Sequence, residues 1–68
     1  MNKDVFKGKW KKMRDQIKAS WSKLSDADLD RVAGEFDKFV VLLQEKYGYT
    51  RERAEEEVNR QIEEHDAG

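Results

Sequence analysis

The sequence predicts a small all-α domain of four helices. Three observations carry that expectation. Apolar residues recur at helical spacing along most of the chain, short segments rich in Ser, Asp, Gly and Thr separate the runs, and the 68 residues contain neither proline nor cysteine. A chain of this length forms one domain, residues 1–68, with a core near the lower limit for independent folding. Hydrophobic residues make up 37% and charged residues 43%, a composition that approaches that of disordered chains. The regular placement of the apolar side chains is what argues for a fold.

The first helix is expected from about Asp4 to Ser22. Phe6, Trp10, Met13, Ile17, Trp21 and Leu24 step by 4, 3, 4, 4 and 3 residues, which confines them to about 80° of arc on a helical wheel. Gly8 interrupts this segment at some cost in helix propensity, and close packing against a neighbour would explain it. In "LSDADLDRVAG", Ser25 reads as an N-cap with Asp28 in the reciprocal position of a capping box, and Leu24 and Leu29 as a hydrophobic staple. The short second helix then covers about Asp26 to Ala33, with Gly34 at its end.

A third helix, about Glu35 to Tyr47, puts Phe36, Phe39, Val40, Leu43 and Tyr47 on one face and leaves Val41 and Leu42 outside it. Gly48 fits the left-handed position after a helix, and Tyr49 can fold back toward Leu43. Thr50 caps a fourth helix that runs to about Glu64, with Ala54, Val58 and Ile62 as a thin stripe and Glu56 and Arg60 as an i,i+4 ion pair. Residues 1–3 and 65–68 are expected to fray.

Charge divides the chain. Through Lys23 there are eight basic and two acidic residues, a balance of +6; from Leu24 onward six basic face thirteen acidic, a balance of −7. The first helix is therefore long and basic and the last acidic. The basic half can meet a polyanion or the acidic half of its own chain. Lys7, Lys11, Arg14 and Lys18 form a stripe beside the tryptophan face, a candidate contact for nucleic acid or an anionic membrane surface. The competing reading is a solvated or self-paired edge, facing acids such as Glu55 and Glu56, and overall charge near zero favours it. The tryptophans themselves are expected inside. A single-strand binder would expose its rings, yet a domain with so few large apolar residues loses several kcal/mol, at about 25 cal/mol per Å², if both leave the core.

Other chemistry finds little support. The run "EEE" at 55–57 spreads its carboxylates about 100° apart on a helix, so they cannot converge on one cation. His65 is the lone histidine, with neither a second imidazole nor a thiolate to share a metal. Ser20, Ser22 and Ser25 lack a base in their own segment, and "FKGKW" is no phosphate-binding loop. The expectation is a protein without enzymatic activity, cofactor or metal. Val41 and Leu42 widen the apolar surface of the third helix, either beneath a neighbouring helix or as a patch for self-association or a protein partner, which leaves a monomer or a weak homo-oligomer. Without cysteines, a signal-like N-terminus or an apolar run of spanning length, a cytoplasmic setting is expected.

The segments "GKWKKMRDQIKASWSKLSDADL" and "LQEKYGYTRERAEEEV", with the glycine at 34 between them, resemble the CsbD-like family of small bacterial stress-response proteins. Gly8, Trp10, Lys11, Trp21, Lys23, Leu24, Ser25, Asp26, Gly34, Gln44, Glu45, Tyr47, Gly48, Ala54, Glu55, Glu57 and Val58 carry the resemblance over nearly the whole chain, while Asp15, Ser22 and Val41 stand where such proteins often have glycine. The resemblance implies a compact helical domain similar to two packed helical hairpins, linked to general stress, with no enzymatic activity or cofactor to carry over.

Overall fold

A computed structural model describes the backbone of residues 2–67 and the side chains of residues 3–64. Among the described residues the chain forms five helices and no strand: α1 (Asn2–Gly8), α2 (Trp10–Ser20), α3 (Asp26–Val32), α4 (Phe36–Tyr47) and α5 (Arg51–Ala67). Helical backbone thus covers Asn2, Lys3 and residues 65–67, while Met1 and Gly68 lie outside the described residues.

The expected long first helix is two helices. Lys9, with φ −103° and ψ 7°, bends the backbone directly after Gly8, the weakest helix former of the segment. Hydrogen bonding carries through the bend, since the Lys9 N–H donates to the Val5 carbonyl and the Lys9 carbonyl accepts from Met13 N–H, both at 2.9 Å. Phe6 and Trp10 remain on the same core-facing side, so the apolar periodicity runs across the bend without registering it. Gly8 does not serve close packing either: a Cβ built there would meet nothing within 4 Å.

The other boundaries follow their local chemistry. Ser25 Oγ accepts from the Asp28 N–H and the Asp28 carboxylate accepts from the Ser25 N–H, so the capping box closes in both directions. α3 ends with Ala33 and Gly34 both left-handed, at φ 50° and 80°. Gly34 is also the tight spot of the fold, because a Cβ there would lie 3.2 Å from the Trp10 Cβ and 3.5 Å from the Lys7 Cα. Gly48 ends α4 at φ 69°, and Thr50 Oγ1 accepts from the Arg53 N–H to start α5.

One core unites the helices, with the most extensive packing between α4 and α5. Phe39, fully buried, is its aromatic centre: its ring lies 5.7 Å from Phe6, 5.4 Å from Trp21 and 6.4 Å from Trp10. Trp10 and Trp21 are 8% and 4% exposed, so both indoles are core residues. Phe6 brings the seven-residue α1 onto this cluster, and Ala54, Val58 and Ile62 bring α5. Leu42 is buried too, which removes half of the apolar surface expected beyond the main face of α4; Val41 alone, 45% exposed, stays outside. The helix covering Leu42 is α3, which packs on α4 and sets Val32 beside it.

Candidate functional site

The basic stripe divides along its length. Arg14 reaches across to the start of α3, donating to the Asp26 carbonyl at 3.1 Å and pairing with the Asp30 carboxylate at 2.7 Å. Lys18 pairs with the Asp26 carboxylate at 2.9 Å. These acids lie in α3, beside the basic helix in sequence and in space, whereas Glu55 and Glu57 of α5 pair with Arg51 and Arg60 of their own helix. Arg60 thus takes Glu57 rather than Glu56 as its partner. Lys7 and Lys11 are exposed, and Lys11 makes no ion pair among the described residues. Of the four cations, Lys7 and Lys11 stand outside any ion pair among the described residues, and Lys7 still acts on Glu35 by charge.

Asp28 is the most enclosed carboxylate, its side chain 9% exposed. The Ser25 backbone N–H holds it below its ordinary value near 3.8, and Arg31 at 2.8 Å and Lys46 at 3.7 Å act in the same direction. Lys18, by hydrogen bond and by charge, lowers Asp26; Lys38 lowers Glu35, with a smaller contribution from Lys7. A carboxyl with a depressed folded-state pKa contributes stability that is complete above its unfolded value and is lost as pH falls through the folded one. Acid titration of the melting temperature is therefore expected to show a plateau above pH about 5 and a fall below pH about 4, as these three groups protonate. In Asp28→Asn the fall should be shallower. An equally steep fall in that variant would remove Asp28 from the account.

Two further arrangements escaped the sequence reading. At the end of the molecule where α2 meets α3 and α4 meets α5, the rings of Tyr47 and Tyr49 lie 5.6 Å apart. Lys23 Nζ stands 5.2 Å from the Tyr47 ring and the Arg53 guanidinium 4.4 Å from the Tyr49 ring. The Tyr47 hydroxyl accepts from the Lys23 N–H at 3.0 Å, so this ladder ties the two connections together. "YGY" signalled the turn, but nothing in one segment names its partners in another. The second arrangement is a polar seam in which Gln61 of α5, nearly buried, accepts from the Gln16 amide and donates to Ser20 Oγ.

Val41 and Leu42 border a groove of about 560 Å³ between α3 and α4, which Val32 also lines. Its rim is charged, with Asp28, Arg31, Asp37, Lys38 and Glu45. A smaller depression of about 330 Å³ at the start of α4 is bordered by Lys3, Lys7 and Lys38 on one hand and Asp4, Glu35 and Asp37 on the other. Among the described residues no three His, Cys, Asp or Glu side chains converge as metal ligands. The His65 side chain lies outside the described residues. Among the described residues no helix is long and apolar enough to cross a membrane.

Comparison with known proteins finds close relatives in several bacteria. A UPF0337 protein of Pseudomonas aeruginosa is 50% identical over 58 residues, which span 85% of this chain and 89% of that protein. The UPF0337 protein YjbJ of an Escherichia coli strain is 41% identical over 66 residues, covering 97% of this chain and 96% of the relative. A UPF0337 protein of Bordetella pertussis is 43% identical over 85% of this chain and 88% of its own length. No family model matches the chain, and no solved structure does.

Proposed function

We propose, from the premise that this chain belongs to the UPF0337 (CsbD-like) family of bacterial proteins, that it is a non-enzymatic stress-response protein. It works in the cytoplasm through contacts made by its folded surface. The stress role follows the resemblance to the CsbD-like proteins. The mode of action follows the position of the two indoles: Trp10 and Trp21 are spent on the core around Phe39, so the surface meets other molecules through charge and one small apolar groove.

The alternative, a polyanion-binding module, is favoured by the unpaired Lys11 and by Lys7 beside it on the exposed edge. Titration with DNA, RNA and anionic vesicles at low and moderate salt separates the two readings. Surface contact with protein predicts no binding at low salt. Polyanion binding predicts an affinity that falls with salt and disappears when Lys7, Lys11, Arg14 and Lys18 become glutamine. Its slope on logarithmic axes should be about −2, for the two cations outside ion pairs, rather than about −4 for the whole stripe. The stress role is checked by immunoblot after growing cells are shifted to salt, heat or starvation. A rise in abundance under at least one condition is expected; constant abundance under all of them contradicts the proposal.

A further inference from the structure

Among the described residues, the groove between α3 and α4 is where a large apolar side chain stays exposed. Val41 is the sole large hydrophobic residue exposed among the described residues, and it stands over a floor made by Val32 and Leu42. The rim mixes signs, with Arg31 and Lys38 against Asp28, Asp37 and Glu45. A polyanion would face three carboxylates there, and a partner of uniform positive charge would face two cations. A partner carrying the same mixture in reverse order fits.

This chain supplies that order itself. On α4 the groove is lined by Asp37, Lys38, Val41, Leu42 and Glu45, of which Lys38, Val41, Leu42 and Glu45 are arranged symmetrically in number about the midpoint between 41 and 42. At 100° per residue they fall within a 100° arc centred on that midpoint. Turning a second α4 antiparallel about a twofold axis through this point brings Lys38 opposite the partner's Glu45 and Glu45 opposite the partner's Lys38. Val41, the exposed side chain of the pair, then lies over the partner's Leu42, 5% exposed, at the centre. Flanking them, Asp37, already paired with Lys3 and Arg51, falls opposite the partner's Lys46, which in its own chain pairs with Asp28. Each of these α4 pairings is complementary and occurs twice, as an isologous contact requires.

We infer that the occupant of the groove is a second copy of this chain, joined through antiparallel α4 helices in this register. The inference deepens the proposed function, on whose surface-contact reading it rests, by naming the partner. Glu45 makes no ion pair among the described residues, and Lys38 must give up only an exposed i,i+3 pair with Glu35. The apolar floor is three side chains, well short of the roughly 800 Å² per subunit that a stable complex covers. Association is therefore weak and set by concentration.

Light scattering or sedimentation equilibrium of the purified chain tests this over roughly a hundredfold range of concentration, wide enough to move a weak dimer through its transition. The average mass should rise from monomer toward dimer. Lys38→Glu and Glu45→Lys, each alone, should hold the mass at monomer, since each places like charges opposite one another. An equimolar mixture of the two variants should regain the rise, because their charges are complementary across the axis. Circular dichroism melts of Glu45→Lys should match the parent chain, as that position is exposed, while Lys38→Glu, which loses its pair with Glu35, should melt slightly lower but still cooperatively. A parent chain that stays monomeric throughout overturns the inference, as does a mass rise that survives either single change or is not regained on mixing. The polyanion titration is independent of α4: a monomer that binds no polyanion sinks the dimer alone, and salt-sensitive nucleic-acid binding sinks the wider reading alone.

Discussion

Phe39→Ala is expected to leave the chain largely unfolded at room temperature, with the cooperative urea transition lost or shifted close to zero denaturant. The ring is fully buried and touches Phe6, Trp10 and Trp21, which come from α1, α2 and the turn after α2. Truncating a buried phenylalanine costs about 3–5 kcal/mol, through lost transfer energy and the cavity left behind. Domains have about 0.05–0.15 kcal/mol of stability per residue, so a chain this short has only about 3–10 kcal/mol in all. The removed ring is also what holds α1 and α2 to α4, so collapse around the cavity would have to rearrange three elements together. Urea titrations followed by far-ultraviolet circular dichroism decide the matter. An extrapolated stability within about 1 kcal/mol of the parent chain would show that the aromatic cluster is not the centre of the fold.

Gly34→Ala should be the next most damaging change, at about 2–5 kcal/mol. The residue holds φ at 80°, where a Cβ costs about 1–2 kcal/mol. The new methyl would also sit 3.2 Å from the Trp10 Cβ and 3.3 Å from its Cγ, atoms at the root of a buried side chain that cannot swing aside. Overpacking of that kind adds about 1–3 kcal/mol. Two companion variants separate the causes. Ala33→Gly relieves a left-handed alanine at φ 50° and should stabilise by up to about 1 kcal/mol. Gly8→Ala puts a methyl into open space and should be neutral or stabilising. Thermal melts should place Gly34→Ala well below the parent and both companion variants at or above it; equal stability of Gly34→Ala and the parent would mean that α1 and α2 do not lie against the turn between α3 and α4.

Those glycines show what a linear reading can and cannot reach. Gly34 is legible as a helix end because left-handed backbone is a local property. Its close approach to Trp10 is not, since that distance is set by how separate helices cross. The reverse holds for Gly8, where a helix-breaking residue suggests close packing and the structure shows only a bend at Lys9. Periodicity reports which side of a segment faces the core, and the six-residue stripe from Phe6 to Leu24 is buried in full. It does not report whether the backbone beneath stays straight.

Partners across helices were the harder part. The basic stripe is visible in the spacing of Lys7, Lys11, Arg14 and Lys18, but the acids that neutralise half of it are chosen by the fold, and they are Asp26 and Asp30 rather than the carboxylates of the last helix. Leu42 looks surplus to the face of α4 until α3 covers it, and Gln61 looks like one more polar residue until Gln16 and Ser20 enclose it. The capping box needed no such knowledge, because Ser25 and Asp28 lie within one turn and find one another locally.

Acrylamide quenching of tryptophan fluorescence tests the whole account most directly, since buried indoles are what reserve the outside of the molecule for charge and the α4 groove. With Trp10 and Trp21 8% and 4% exposed, emission should be blue-shifted in the native chain and quenched several-fold less efficiently than in urea. Native emission at the wavelength of free tryptophan, quenched as readily as in the unfolded chain, would contradict the fold and return the aromatic-basic segment to the role of a ligand-gripping surface.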